Sequence, residues 1–428
     1  MRQHLLAAML LVATAASPAF AQYTLTTLAS FSGANGVNPI GGLILSGSTL
    51  YGTTYEGGAS FQNPAVPGTG EVFSLPTTGG TPTVLASFNL NGTNGASPES
   101  GLVLSGGTLY GTTYTGGANN DGEVFSVPVT GGTPTVLASF NGTNGANPIA
   151  GLIVSGSTLY GTTYYGGATF QNSDNRGDGE VFSLPTSGGT PTVLASFNGT
   201  NGYRPGAPRL ILSGGTLYGT TGGGGATFQN FDNPGDGEVF SVPTSGGTPT
   251  VLASFNGTNG TGPYGDLILS GSTLYGTTIG LASSAGEVFS LPTTGGTPTV
   301  LAPFNINGTN GSGPYGGLLL SGGTLYGTTI GGGAGGLGVV FSVPTTGGTP
   351  TLLASFNGTN GAYPVYGTLI MDSNGNLYGT TAEGGADAAY NDGTVFELSP
   401  TGVPEPVSLG LLGLAGGMLL MRRGALRR

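Results

Sequence analysis

Short apolar runs separated by Gly, Pro, Asn and Ser recur along this chain, and none sustains a 3.6-residue period over a helix length. Within one unit they fall into four stretches: Gly151 to Ser155, Thr158 to Thr163, Glu180 to Leu184 and Thr192 to Phe197. Val, Ile, Leu, Phe, Tyr and Thr dominate them, and these residues suit a pleated backbone. Ser155-Gly156-Ser157 is short enough for a tight hairpin, and Gly188-Gly189 marks the next reversal. Each unit therefore predicts four antiparallel strands.

The unit recurs seven times. Its marker is Leu-Tyr-Gly-Thr-Thr, with the tyrosine at 51, 110, 160, 218, 275, 326 and 378. A four-stranded repeat of 50 to 59 residues matches one blade of a propeller. The phase at the ends adds to this. Tyr23 to Phe31 is a strand of the fourth type, and Thr394 to Leu398 is of the third type with no fourth after it. Pairing the first strand with the last three would leave no exposed edge. The expected fold is an all-β, closed seven-bladed β-propeller with four antiparallel strands per blade. A β-helix or an elongated array of small sheets is the alternative. Reversing strands places the second-to-third connection and the inter-unit link on one face. These are the longer, more variable loops, such as Gly166 to Gly179, so that face is the candidate for recognition.

Composition changes the picture in two ways. Gly (88) and Pro (28) approach a disordered composition, but 37% hydrophobic residues in periodic runs oppose that reading. Glycine does not recur every third residue, so collagen is excluded. The region from Gln22 to Gly402 holds 18 acidic residues against Arg176, Arg204 and Arg209, with no lysine. Such a surface repels nucleic acid. Cysteine is absent and the one histidine, His4, lies near the N-terminus. Disulfides, thiolate chemistry and histidine-based proton transfer are therefore excluded from the body.

The two ends read as addresses. Residues 1–21 have a short basic start, an apolar run and Ala19-Phe20-Ala21, the pattern of a removable secretory signal peptide. Residues 403–428 contain Pro404-Glu405-Pro406, an apolar stretch from Val407 to Met421 and terminal arginines. This tail resembles the PEP-CTERM sorting signal of Gram-negative bacteria. The resemblance implies an exosortase-like processing enzyme as partner and transient inner-membrane association through a C-terminal transmembrane helix. Release or attachment at the cell surface, often alongside exopolysaccharide, would follow. Residues 22–402 form the seven-unit body between these signals. Their Leu-Tyr-Gly-Thr-Thr, Val-Phe-Ser and Gly-Gly-Thr-Pro segments resemble the GloVer repeat family of surface proteins, which supplies no catalytic assignment.

Candidate chemistry is sparse. Asp121/Glu123, Asp178/Glu180, Asp236/Glu238 and Asp392/Glu397 recur near the third strand, and Asp174, Asn175, Asp232 and Asn233 enrich two loops. Hard oxygen ligands suit calcium, the one cofactor this pattern suggests, although a solvated strand edge explains the same residues. The repeated tyrosines fit inter-blade packing better than sugar stacking. Asn141, Asn198, Asn256 and Asn357 read as turn residues, and Gly222 to Gly225 as a loop without a phosphate-binding motif. No catalytic residue is assigned, and no enzyme is expected. The expected function is a noncatalytic cell-surface or extracellular-matrix protein associated with envelope polysaccharide. The alternatives are a calcium-assisted glycan-binding module and a secreted carboxylate-dependent hydrolase or lyase.

Overall fold

The computed structural model describes residues 22–401 except 64–67, 90–93, 170–175, 207–208, 231–233, 281–284, 306–307, 309 and 387–390. The segments expected to be a signal peptide (1–21) and a sorting tail (403–428), and the four loop residues Asp174, Asn175, Asp232 and Asn233, all lie outside the described residues.

The described strands form seven four-stranded sheets. In the third, Ile153–Ser155, Thr158–Thr163, Glu180–Pro185 and Thr192–Ser196 follow one another in antiparallel order. Tyr160 lies opposite both Ile153 and Ser183, and Leu159 opposite Leu184. A register shift at Val181/Phe182 recurs at the matching position of five other sheets. The last sheet takes its outer strand, Gln22–Ser30, from the start of the chain, beside Thr394–Thr401.

The expected closed propeller is corrected on closure. The blades are seven and four-stranded as their sequence implies, but the sheets remain separate and are not closed into a barrel. The physical reason is that neighbouring blades present faces, not edges, to each other, so strand ladders stop at each blade. Side chains fill the space between. Val181, Leu194, Ala195 and Phe197 of the third blade pack with Leu210, Leu217, Phe240 and Val242 of the fourth, and Tyr160 covers their margin. At the same junction Phe197 meets Phe240 edge to face, with ring centroids 5.0 Å apart. Such T-shaped pairs add about 1 kcal/mol each beyond their buried area.

Every residue of the repeated pentapeptide has a packing task. Its leucine is buried and its tyrosine half-buried in the third blade. A Cβ on Gly161 would lie 2.8 Å from Phe182 Cζ and Leu152 Cδ2, so the strand centre has room only for glycine. The first threonine reaches outward: Thr53 Oγ1 donates to Ser100 O at 2.8 Å and Thr112 Oγ1 to Ala150 O at 3.2 Å. The second caps its own strand, as where Thr163 Oγ1 donates to Tyr165 O at 2.8 Å. Among the described residues Thr113, Thr220, Thr278 and Thr328 are buried without such a bond, so hydrogen bonding alone does not account for threonine in every unit.

No helix among the described residues is long and apolar enough to cross a membrane. Among the described residues this corrects the expected transmembrane helix, inner-membrane association and membrane contact; the apolar run 407–421, and the exosortase-like and exopolysaccharide partners inferred from that tail, lie outside them.

Candidate functional site

Each inter-blade link enters its blade through a residue, a proline and a variable residue. The first of these has φ between 52° and 64° in all seven units: Asn38, Ser97, Asn147, Arg204, Gly262, Gly313 and Tyr363. Its N–H donates to a carbonyl of the preceding blade, as where Arg204 N donates to Asp178 O at 2.9 Å. The left-handed turn then sends the chain towards a shared cavity. The residues after proline are Ile40, Glu99, Ile149, Gly206, Tyr264, Tyr315 and Val365, a varied position within the repeat.

Three of these, Glu99, Ile149 and Gly206, line a small space beside a central cavity. A volume of about 330 Å³ is lined by residues of all seven units, among them Arg209, Asp266, Tyr366 and Thr368. A smaller adjoining space is lined by Glu99, Ser100, Ile149, Gly206 and the same Tyr366. Burial raises the Glu99 carboxyl to about 7. Its charge is felt by Tyr55, Tyr114, Tyr164 and Tyr366, and Tyr366 is itself raised to about 12, chiefly by burial. Tyr264 stacks on Tyr315 at 6.0 Å, and Tyr315 meets Tyr366 edge to face at 5.9 Å.

Asp266 occupies the second part of the site. Thr368 Oγ1 donates to its Oδ2 at 2.8 Å, while Oδ1 has no partner among the described residues. Burial raises this carboxyl, and the charge of Arg209 opposes the rise. One oxygen is thus fixed by Thr368, and a hydrogen bond from the Arg209 backbone also favours the charged form.

The acids singled out by spacing lie elsewhere. Glu123, Glu180 and Glu238 are buried within their blades and accept bonds from Ser139, Ser196 and Ser254 at 3.0, 3.3 and 3.1 Å. Burial raises Glu71 and Glu180 to about 8 and Glu238 to about 7. Asp121, Asp178, Asp236 and Asp392 hold the links through their backbone carbonyls. Thr69, Ala285 and Leu337 accept the same bond in the other blades, so it does not require an acidic side chain. Glu397 accepts from the Tyr378 hydroxyl at 3.2 Å. Among the described residues no group of three or more His, Cys, Asp or Glu is placed to hold a metal ion. Asn141 accepts bonds from Thr143 and from the Asn144 N–H, a turn built by its own side chain. Spacing pointed at the acids that repeat, whereas Glu99 and Asp266 stand where the repeat departs from itself.

The noncatalytic, non-enzyme expectation is corrected on this geometry. It rested on carboxylates scattered without a privileged set, and the fold gathers two of them, half-buried and buried, on adjoining cavities with tyrosines and an arginine.

The repeat profile described as Gloeobacter/Verrucomicrobia repeat matches residues 15–173, 167–305 and 226–407, spanning nearly the whole body. The chain belongs to this repeat family. No curated protein matches it. Among solved structures, the extracellular domain of a putative hybrid two-component system from B. thetaiotaomicron is 11% identical with a TM-score of 0.53. That similarity covers 89% of this chain and 40% of the other, so the family member spans less than half of that protein, and the likeness concerns fold alone. Putative 6-phosphogluconolactonases from Bacteroides uniformis and Bacteroides fragilis are 17% and 19% identical, with TM-scores of 0.47 and 0.48. These cover 72% and 78% of this chain and 84% and 88% of theirs, and at such scores they carry no argument about activity.

Proposed function

We propose that this protein is a carboxylate-dependent hydrolase or lyase acting on a hydroxyl-rich ring substrate, with Glu99 as its general acid–base. The supporting observation is the Glu99 carboxyl in the cavity wall, raised by burial to about 7. A carboxyl poised there exists in both forms near neutral pH and can give or take a proton, an effect commonly contributing about 10²–10⁴ in rate. Tyr366 lines both spaces and offers a phenol ring for stacking beside Glu99.

The test is release of new sugar ends, or of an unsaturated product absorbing in the ultraviolet, from a panel of polysaccharides. Glu99→Gln keeps the shape and removes the proton transfer. Turnover should fall by about 10² or more with melting unchanged. Undiminished turnover by Glu99→Gln, or none by the parent protein on any substrate, rejects the reading.

The division into a removable leader (1–21), a repeat body (22–402) and a sorting tail (403–428) is proposed on the sequence pattern alone. The intact mass of the purified mature protein tests it.

A further inference from the structure

The second unit joins Thr108–Thr113 to Glu123–Pro128 through residues 114–122, a much shorter connection than residues 164–179 of the third unit. A groove of about 580 Å³ is lined by both. The shorter connection contributes Tyr114, Thr115, Asn120 and Asp121, and the longer one Tyr165 and Arg176.

Asn120 has an internal counterpart that shows what its side chain can bind. Its φ is 59°, and its Oδ1 accepts from the Gly116 N–H at 3.0 Å. That bond fixes the orientation of the amide and leaves Nδ2 as a donor. The seventh unit repeats this turn with Asn391, at φ 56°, whose Oδ1 accepts from the Gly384 N–H at 2.7 Å. There Nδ2 is occupied, because it donates to Glu383 Oε2 at 2.8 Å. Glu383 directly precedes Gly384, and the residue directly before Gly116 is Thr115. The second unit therefore supplies no carboxylate at that place. Among the described residues Asn120 Nδ2 has no acceptor. An oxygen is thus seated in the seventh unit where the second has open groove.

The charges beside it are balanced. Arg176 is exposed, with its guanidinium carbon 5.3 Å from the Tyr165 ring centroid. Its carbonyl accepts from Gly166 N, and Pro234 of the fourth unit accepts the equivalent bond from Gly224 N. The loop therefore does not require an arginine side chain here. Burial raises the Asp121 carboxyl, and the charge of Arg176 opposes the rise. Among the described residues the two form no ion pair. A ligand carboxylate would meet Asp121 and a ligand ammonium would meet Arg176, so the groove favours a neutral occupant. Adjacent hydroxyls suit it, since each can accept from an amide or guanidinium and donate to a carboxylate. The groove also neighbours the Glu99 site, because Tyr114 feels the charges of both Glu99 and Arg176.

We propose that this groove is a subsite for a neutral sugar ring, with Asn120 and Arg176 donating to its hydroxyl oxygens and Asp121 accepting from them. The inference rests on the catalytic reading for its ligand class, and it assigns the place where a unit away from the reacting bond is held.

Calorimetry on the full chain, parent and Glu99→Gln, tests it. The probes are the β-1,4 tetramers of glucose, mannose and xylose and the α-1,4 tetramer of glucose, with the galacturonate tetramer as the charged comparison. At least one neutral tetramer should bind about ten-fold more tightly than galacturonate, with little change on adding salt. Asn120→Asp keeps the acceptor for Gly116 N–H and removes the donor. Thr115→Glu builds the seventh unit's carboxylate against Asn120. Each should weaken that binding about ten-fold or more while keeping the parent's urea-unfolding midpoint. Asn120→Asp is nearly isosteric and decides the question alone if Thr115→Glu fails to fold. Binding of no neutral tetramer, binding of galacturonate at least as tightly, or unchanged affinity in Asn120→Asp overturns the proposal. Neutral binding that the variants weaken, without turnover by the parent protein, leaves the groove standing and removes the catalytic reading. Turnover whose KM is the same in parent and Asn120→Asp does the reverse.

Discussion

Arg204 combines a positive φ, a following proline and three tyrosine rings around one guanidinium. Left-handed backbone at a non-glycine residue costs roughly 1–3 kcal/mol, so replacement separates the backbone from the side chain. Arg204→Ala keeps the strain and loses the ring contacts, and it should lower stability by about 1 kcal/mol in urea unfolding. Arg204→Gly relieves the strain as it loses those contacts, and its midpoint should remain above that of the alanine variant. The reverse order would mean that the backbone is not strained. Gly161 makes a simpler case. Gly161→Ala places a methyl 2.8 Å from Phe182 and Leu152 and should cost about 1–3 kcal/mol, read from the same unfolding curves.

At the scale of the strand, the buried glutamates set the pH dependence of stability. Glu71, Glu180 and Glu238 have folded values of about 8, 8 and 7, above the ordinary 4.5, because burial disfavours their charged form. The folded state therefore binds more protons than the unfolded state between those limits. Their contribution is fully present below about 4.5 and is lost as pH rises through 7 to 8. Melting temperature should fall across that window, and replacing Glu71 and Glu180 with Gln should flatten the fall. A melting temperature that rises through the window contradicts buried, proton-bearing carboxyls. These strands were legible in the sequence because apolar residues alternate and the motif repeats. Val181 and Phe182 announce their strand, and Gly188-Gly189 its turn. The pentapeptide's threonines were visible as a pattern but not as a mechanism, since Thr53 bonds a carbonyl 47 residues away. The repeated spacing of the Asp-x-Glu pairs suggests calcium or a solvated strand edge, whereas each glutamate serves the interior of its own blade and each aspartate carbonyl serves a link.

Over the whole molecule, seven sheets bring residues that are far apart in sequence to adjoining cavities. Glu99 and Tyr366 line one space, and Thr368 bonds Asp266 across 102 positions. No local pattern contains that information. What the chain does carry is the break in its own uniformity, Ile, Glu, Ile, Gly, Tyr, Tyr and Val at one position of seven similar units. Uniform positions specify the blades, and Glu99, Ile149 and Gly206 of the varied one line a cavity. The terminal strand has a role at this scale too. Removing residues 24–30 takes the outer strand from the seventh sheet and exposes an edge, so melting temperature should fall and aggregation rise, as light scattering would show.

The central claim is that Glu99 exchanges a proton during turnover, and the pH dependence of kcat/KM on the best substrate tests it most directly. The parent protein should show a limb with an apparent pKa near 7, and Glu99→Gln should retain only slow turnover in which that limb is absent. A limb near 7 that persists unchanged in Glu99→Gln would contradict the assignment.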